Sequence, residues 1–332
     1  MDREQEELQF LGFFGILKES LKIIFSWRKI FSQITLALIV PLSFIFLAHF
    51  QISQLLFIDV INDEDALDHT AVGSPRYAKL SDMVSSEWTA FWLFKAAYFT
   101  FLLILSLLST SAVVYTVACI YTAKEISFKK VMSVVPKVWK RLMVTFMWSF
   151  AVVILYNVLS GILFLAWAIS LGFSPIGISV FVILLIAYFT GFVYITLVWH
   201  LASVISVLED SYGIKAMVKS KALIKGKIFV AVGMFLLLGT CFLGIQILFE
   251  SGVVLAWSVG IEIRIAIGII CFLLLFKVIL FGLVVQTVIY FVCKSYHHEN
   301  IDKSVLADHL EVYLGDYVPL KHKDVQLEQF HV

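Results

Sequence analysis

Long apolar runs, separated by short polar connections, dominate the pattern of this chain. A helix needs about 20 apolar residues to cross the hydrocarbon core of a bilayer. The run that begins after Arg141 is too long for one crossing, and the turn-forming residues Gly172 and Pro175 divide it. Six runs then reach the required length: 30–57, 91–121, 142–171, 176–208, 228–249 and 265–293. The pattern predicts an all-α membrane protein with six transmembrane helices, forming a single integral domain over residues 1–332.

Composition supports the same class. The 332 residues are 61% hydrophobic and 15% charged, with a mean hydropathy of +0.96. Soluble domains are typically about 45–50% apolar and about 25% charged. The four cysteines lie in or beside apolar runs without CxxC spacing, so we expect neither disulfides nor a zinc site. The acidic start, MDREQEELQF, is unlike a cleaved signal peptide, and the net charge of +1 does not indicate a nucleic-acid partner.

The basic residues are distributed unevenly between the two sides of the predicted bundle. Of the 25 Lys and Arg residues, 20 lie in the N-terminal segment, the second and fourth connections and the C-terminal tail. The first connection, loop 58–90, carries seven acidic residues instead. By the positive-inside rule, both termini are predicted to be cytosolic, and loop 58–90 is predicted to face the lumen or the exterior.

Three segments align without gaps when Gly15, Ser127 and Gly213 are placed in register. They read GILKESLKIIFSWRKIF, SFKKVMSVVPKVWKRLM and GIKAMVKSKALIKGKIF, and each precedes a pair of spans. We therefore predict three repeats of an interfacial amphipathic helix plus a two-span hairpin. The repeats cover 15–121, 127–208 and 213–293, between a cytosolic N-terminus at 1–14 and a cytosolic tail at 294–332.

Helical periodicity places apolar and basic residues of these segments on opposite faces. The apolar face of the second copy comprises Phe128, Val131, Met132, Val135, Val138 and Trp139. The first copy places Ile16, Ile23, Ile24 and Trp27 on its apolar face. The third copy is less regular, because Lys221 falls on the face of Ile214, Met217, Val218 and Ile224.

Basic amphipathic helices of this kind lie in the headgroup plane and favour anionic lipid. The predicted interfacial residues are Lys18, Lys22, Trp27, Arg28, Lys29, Lys129, Lys130, Lys137, Trp139, Lys140, Arg141, Lys215, Lys219, Lys225 and Lys227. The alternative is that Trp and basic residues beside a span are ordinary interfacial anchors.

Two resemblances extend this interpretation. The segment Val207-Leu208-Glu209, followed by Gly213, Ala216, Ser220, Leu223 and Gly226, resembles the bacterial family of glycerophosphoryl diester phosphodiesterase membrane domains. That resemblance implies a six-span helical fold, without the soluble domain that phosphodiesterase activity requires. The start EELQFLGFFGILKES and the tail KSYHHENIDKSVLADHLEVYLGDYVPLK resemble a plant family of uncharacterised multi-pass membrane proteins.

Few polar residues fall inside the predicted spans. Lys277 is central in CFLLLFKVILFGL, where an ionisable group costs about 2.5–3.5 kcal/mol on insertion scales. It is either a cation in a solute or headgroup pocket, or a lysine that snorkels to the interface. Asn157 is expected to serve interhelical packing, and His200 to be a hydrogen-bonded core histidine. Lys95, near the start of its span, is expected to snorkel.

Residues near the third repeat have predicted structural roles. Glu209 is expected to accept from Lys215 or to cap the interfacial helix, and Gly213 and Gly226 are expected to bracket that helix. Ser220 is expected to pack this helix against the bundle. Cys293, beside Lys294, is either a palmitoylation site or an inert buried thiol.

Two functional hypotheses follow. The chain lacks HExxH, GxSxG, GxxxxGK[ST] and GxGxxG motifs, so we expect a non-enzymatic membrane protein without a cofactor that engages anionic lipid on the cytosolic leaflet. It would reside in the endomembrane system (the ER) or the plasma membrane. The alternative is a transporter or channel for a small anionic or amphiphilic solute, with Lys277 in the pathway. A short amphipathic stretch at 305–314 is a candidate site for a cytosolic partner. His297-His298-Glu299 suggests a metal site only weakly, and we expect these residues to be part of a solvated tail, without a bound metal.

Overall fold

The computed structural model describes residues 8–123, 126–172, 174–256 and 260–297, and helices joined by short turns make up this part of the chain. The helices are α1 Phe13–Ser26, α2 Arg28–Asp68, α3 Pro75–Tyr121, α4 Phe128–Ser170, α5 Pro175–Leu208, α6 Ile214–Leu223, α7 Ile228–Val254 and α8 Ile261–Tyr296. Six of them, all except α1 and α6, are long and apolar enough to span a membrane. The prediction of a helical multi-pass membrane protein is confirmed at this level. The predictions for 305–314 and for His298-Glu299 concern residues outside the described part of the chain.

Local sequence explains where several helices begin and end. The Ser127 hydroxyl accepts from the Lys130 amide at the start of α4, and the Ser174 hydroxyl accepts from the Gly177 amide at the start of α5. Pro175 occupies the first turn of α5, where a missing amide hydrogen costs nothing. Gly172, with a φ of +52°, follows the end of α4 in the left-handed conformation that favours glycine.

A π-helical stretch interrupts α2 at Thr35–Ile39, immediately before Pro41. Proline lacks the amide hydrogen that would bond to the preceding turn, and its ring clashes with that turn in a regular α-helix. A wider π turn relieves this clash without ending the helix. Helix α2 therefore continues past Pro41 as one span.

Two expectations about the connections are wrong. Residues 58–90 are mostly helical rather than a loop, because α2 extends to Asp68 and α3 begins at Pro75. The basic segment of the second copy is not a separate interfacial helix, because it is the first part of the 43-residue helix α4. Pro136 lies inside that helix without ending it. At 1.5 Å per residue, α4 measures about 65 Å, roughly twice the thickness of the hydrocarbon core.

The residues divide into two compact units. Among the described residues, the first contains 8–30, 110–123, 126–172, 174–235 and 283–297, and thus α1, the end of α3, helices α4 to α6, the start of α7 and the end of α8. Its largest fully buried side chains include Tyr290, Phe291, Leu142, Ile205 and Leu223. Helices α4 and α5 also interact through aromatic rings, since Tyr156 and Tyr188 are stacked with centroids 5.7 Å apart.

The second unit contains the described residues 31–109, 236–256 and 260–282. Its core joins α2, α7 and α8 through Leu47, Ile245, Phe249, Val254, Cys271 and Leu275. Phe46 of α2 packs against Phe242 of α7 with ring centroids 5.2 Å apart. Arg264 of α8 donates twice to the Val253 carbonyl, which the π-helical end of α7 leaves available.

Candidate functional site

Glu209 is the centre of a polar cluster at one end of the first unit. It caps the C-terminus of α5. Its Oε1 accepts from the Tyr290 hydroxyl at 2.7 Å and from Lys294 Nζ at 3.1 Å. Its Oε2 lies 2.7 Å from Lys219 Nζ. One carboxylate, only 14% exposed, therefore joins α5 to both α6 and α8.

The charge state of Glu209 follows from these contacts. Burial alone would raise the pKa of this carboxyl group. The hydrogen bonds from Lys219 and Tyr290, and then the charge of Lys294, outweigh burial and lower the pKa below its ordinary value. Glu209 is therefore ionised at neutral pH, and it neutralises part of the positive charge of two lysines.

A second set of contacts joins α6 to α4 and α5. The Gly213 amide donates to Thr145 Oγ1 at 2.7 Å, and this oxygen lies 2.6 Å from Ser206 Oγ. Gly213 has a φ of +63°, which the tight turn into α6 requires. Nearby, Arg141 donates to Asp210 Oδ1 at 2.9 Å, although the Asp210 side chain is 78% exposed. The turn before α6 is thus hydrogen-bonded to the first half of α4, through Arg141 and Thr145.

Small side chains hold the inner face of α6 against the unit. Ala216 and Ser220 have no exposed surface, and the Ser220 hydroxyl donates to the Val198 carbonyl of α5 at 2.8 Å. After α6, Gly226 has a φ of +89°, and a side chain at this position would collide with the Tyr296 ring. The predictions for Gly213, Ser220 and Gly226 agree with this arrangement.

The outer face of α6 carries both apolar and basic side chains. Ile214 is 50% exposed and Val218 is 63% exposed. Lys215 and Lys221 are exposed on the same helix, and Lys225 is exposed just after it. An exposed surface of this composition suits the boundary between headgroups and acyl chains. We call Ile214, Lys215, Val218 and Lys221 the outer face of α6.

An open apolar groove of about 340 Å³ lies beside this turn. Its lining is Met143, Val144, Met147, Trp148 and Ala151, all on α4. Arg141 precedes the groove in the chain, and the preceding Lys140 is exposed. Basic side chains therefore come directly before an apolar surface along α4.

In the first two copies, buried apolar residues alternate with exposed basic residues along the helical segments. In the second copy, Val131, Val135 and Val138 are buried, and all four lysines from Lys129 to Lys140 are exposed, as predicted. In the first copy, Ile16 and Ile23 are buried and Lys18, Lys22, Arg28 and Lys29 are exposed. Trp27, predicted to be an interfacial aromatic residue, is 39% exposed.

Three predictions about residues near the third repeat are refined by the structure. Glu209 pairs with Lys219 instead of Lys215, because Lys219 is one helical turn further along α6, on the side that faces α5 and α8. Cys293 has no exposed surface, which contradicts its availability for palmitoylation and agrees with a buried thiol. Lys227 is not simply a headgroup residue, since its Nζ lies 5.3 Å from the centroid of the Tyr296 ring.

The intramembrane polar residues have separate environments. Asn157 accepts from the Tyr188 hydroxyl at 2.9 Å and so links α4 to α5, as expected. His200 Nδ1 lies 3.0 Å from Gln286 Oε1, so it is hydrogen-bonded as expected, although its side chain is exposed and not part of the core. Lys277 is exposed, and it forms no hydrogen bond or ion pair with another residue that the structure describes.

Sequence reasoning missed the partners of two charged residues. Tyr290 and Lys294 lie 81 and 85 positions after Glu209, so no local spacing relates them to it. Lys95 does not simply snorkel, because it is hydrogen-bonded to His49 and Ser53 of α2. The only sequence signal for that contact is the occurrence of polar residues within two adjacent apolar runs.

Comparison with known proteins gives one match. The family described as Domain of unknown function (DUF8558) matches residues 1–330. No curated protein and no solved structure matches the chain.

Proposed function

The chain belongs to the DUF8558 family over nearly its whole length, and we propose that it is a non-enzymatic multi-pass membrane protein that binds anionic lipid at the cytosolic leaflet. The observation that carries this proposal is the outer face of α6. The bonds of Glu209 to Lys219, Tyr290 and Lys294 hold α6 against the first unit. The outer face of α6 remains exposed, with Ile214, Lys215, Val218 and Lys221. The proposed role is to organise lipid at this surface.

The charge distribution supports the cytosolic placement of this surface. The exposed lysines of α1, of the first part of α4 and of α6 belong to connections that six alternating spans place on one side. Cytosolic leaflets carry anionic lipid, and each nearby Lys or Arg contributes about 1 kcal/mol to membrane attraction. The same distribution supports cytosolic termini, and the proposed location is the endomembrane system or the plasma membrane.

The three-repeat organisation is part of the proposal. Separate short helices, α1 and α6, precede α2 and α7, whereas the second copy is continuous with α4. All three segments nevertheless expose lysines and bury part of their apolar face. The apolar groove on α4 supplies a surface along which an acyl chain can lie below Lys140 and Arg141.

A lipid-binding measurement on the full chain tests this function. The purified protein is titrated with fluorescent phosphatidylserine and fluorescent phosphatidylcholine in a neutral detergent. We expect a preference for phosphatidylserine that decreases by about tenfold in the Lys215→Gln/Lys221→Gln double variant. It should also decrease as salt screens the headgroup contacts.

The matched control is the Arg76→Gln/Lys79→Gln double variant. It removes the same number of exposed charges from the start of α3, beside the turn at 69–74. This variant should retain the full preference for phosphatidylserine. Equal affinity of the wild type for the two lipids, or equal losses in both double variants, would exclude the proposed surface.

A further inference from the structure

Four side chains of α2 and α3 form a polar cluster inside the second unit. Lys95 Nζ donates to Ser53 Oγ at 2.8 Å and lies 2.8 Å from His49 Nε2. The His49 ring stacks on the Tyr98 ring with centroids 3.8 Å apart and an interplanar angle of 16°. We call Lys95, His49, Ser53 and Tyr98 the Lys95 cluster.

The Lys95 cluster lies within the apolar runs of both helices. Lys95 is eight residues from Glu87, the last acidic residue before the apolar run of α3, which corresponds to about 12 Å of helix. His49 is ten residues from Asp59, which corresponds to about 15 Å along α2. The cluster therefore lies in the half of each apolar run that is nearer to the turn at 69–74.

The ammonium in this cluster has hydrogen-bond partners but no counter-charge. A protonated lysine has only donors, so His49 Nε2 must accept and the neutral imidazole carries its hydrogen on Nδ1. Ser53 is also neutral, and the Phe91 ring lies 5.1 Å from Nζ. Within the described ranges, no carboxylate pairs with Lys95. A cation left without a counter-ion in hydrocarbon is costly.

The hydrogen bonding of the cluster is also incomplete. His49 Nδ1 is buried and has no hydrogen-bond partner in the structure. Lys95 itself is only partly buried. An acceptor with negative charge would offset the unbalanced charge more effectively than the present neutral acceptors.

Exposed aromatic rings border Lys95 on α3. Trp92 and Phe99 lie three residues before and four residues after Lys95, on the same side of the helix. They are 64% and 45% exposed. A cation flanked by exposed aromatic rings at this depth matches an amphiphile, with its oxyanion at Lys95 and its acyl chain along the rings.

We propose that the Lys95 cluster binds the oxyanion of an amphiphile, a carboxylate or a phosphate, from the leaflet on the side of the 69–74 turn. The acyl chain lies along Trp92 and Phe99. This site is in a different unit from the outer face of α6, and it does not depend on the function proposed for that face.

Oleate, methyl oleate, oleyl phosphate and oleyl alcohol are the probes that test this site. Each is titrated into the full chain in neutral detergent, and bound amphiphile is counted by native mass spectrometry. We expect oleate to bind at least about tenfold more tightly than methyl oleate, or oleyl phosphate than oleyl alcohol. A preference for oleate alone identifies a carboxylate site, a preference for oleyl phosphate alone identifies a phosphate site, and both preferences together identify a general oxyanion site. The absence of a preference in both pairs would overturn the proposal.

Substitutions then assign the discrimination to the cluster. Lys95→Met should abolish the preference for the amphiphile that carries an oxyanion, and Lys95→Arg should retain that preference. Lys277→Met, which removes the exposed lysine of α8, is the matched intramembrane control and should behave as wild type. If Lys95→Met lowers thermal stability but leaves the oleate preference intact, Lys95 only joins two helices and the proposal is wrong. If that variant does not fold, the wild-type comparison and Lys95→Arg still decide the outcome.

The two lipid sites can be distinguished by the same variants. Lys215→Gln/Lys221→Gln should leave the oleate preference unchanged, and Lys95→Met should leave the phosphatidylserine preference of the α6 face unchanged. Loss of the oleate preference in the α6 double variant would contradict a separate site at Lys95.

Discussion

Glu209 Oε2 and Lys219 Nζ are 2.7 Å apart, and this contact joins the C-terminal end of α5 to the middle of the short helix α6. The same carboxylate is bonded to Tyr290 and Lys294 near the end of α8. The position of the exposed outer face of α6 therefore depends on one acidic residue.

Substitution of Glu209 should destabilise the first unit. Glu209→Gln removes the charge that two partly buried lysines share, and hydrogen bonds to charged groups contribute about 1.5–3 kcal/mol. We expect a loss of about 2 kcal/mol in unfolding free energy, measured by thermal denaturation in detergent. Asp210→Asn is the control, because its carboxylate is 78% exposed and surface ion pairs contribute about 0–1 kcal/mol. Equal effects of both substitutions would contradict a special role for Glu209.

The lowered pKa of Glu209 predicts a pH dependence. A carboxyl group whose pKa is lower in the folded state stabilises the fold above its unfolded pKa of about 4.5. This contribution is lost as the pH falls through the folded-state value. The difference in melting temperature between wild type and Glu209→Gln should be constant near neutral pH and should shrink below pH of about 4.5. A melting-temperature difference that grows as the pH falls would contradict a lowered pKa of Glu209 in the folded state.

Thr145 should stabilise the fold through the hydrogen bonds of its hydroxyl group more than through the volume of its side chain. Thr145→Val keeps the shape but leaves the buried Gly213 amide without its acceptor and removes a partner of Ser206. An unsatisfied buried donor costs about 1–3 kcal/mol, so the melting temperature should fall. Thr190→Val is the control, since that exposed hydroxyl bonds only to the Ile186 carbonyl of its own helix. Similar melting temperatures for the two variants would exclude the Gly213 contact as a stabilising one.

Gly226 should not tolerate a side chain. In Gly226→Ala, the added carbon meets the Tyr296 ring in a backbone with a φ of +89°, so both packing and conformation oppose it. We expect a loss of stability of about 1–3 kcal/mol. Gly244→Ala in α7, where the added carbon meets open space, should cause no loss. The stability of both variants is measured by the melting temperature and by the ratio of folded to aggregated protein in size-exclusion chromatography.

The proposed orientation can be tested by glycosylation. Val72→Asn places an acceptor before Gly73 and Ser74 in the turn between α2 and α3, where Val72 is 84% exposed. We expect this variant to be glycosylated in microsomes. Asp302→Ser, which completes an acceptor at Asn300 in the tail, should remain unmodified. The opposite pattern would reverse the topology, and the outer face of α6 would then lie on the non-cytosolic side.

Sequence periodicity predicted some details well because they depend on local composition. The six apolar spans follow from run length, and the buried valines of the first part of α4 follow from helical spacing. The boundaries were less accurate around 58–90, where acidic composition resembles a loop but the residues continue the helices α2 and α3. Polar residues that extend a helix beyond the membrane carry no signal that distinguishes them from a polar loop.

The sequence by itself determined that this chain is a helical multi-pass membrane protein and that its lysines concentrate in particular connections, because hydrophobic length and charge are properties of contiguous residues. Only the tertiary structure decided that Glu209 bonds to Lys219, Tyr290 and Lys294, and that Lys95 meets His49 and Ser53. These contacts join residues on different helices. Their formation depends on how each helix is rotated and packed, which the pattern of a single sequence does not specify.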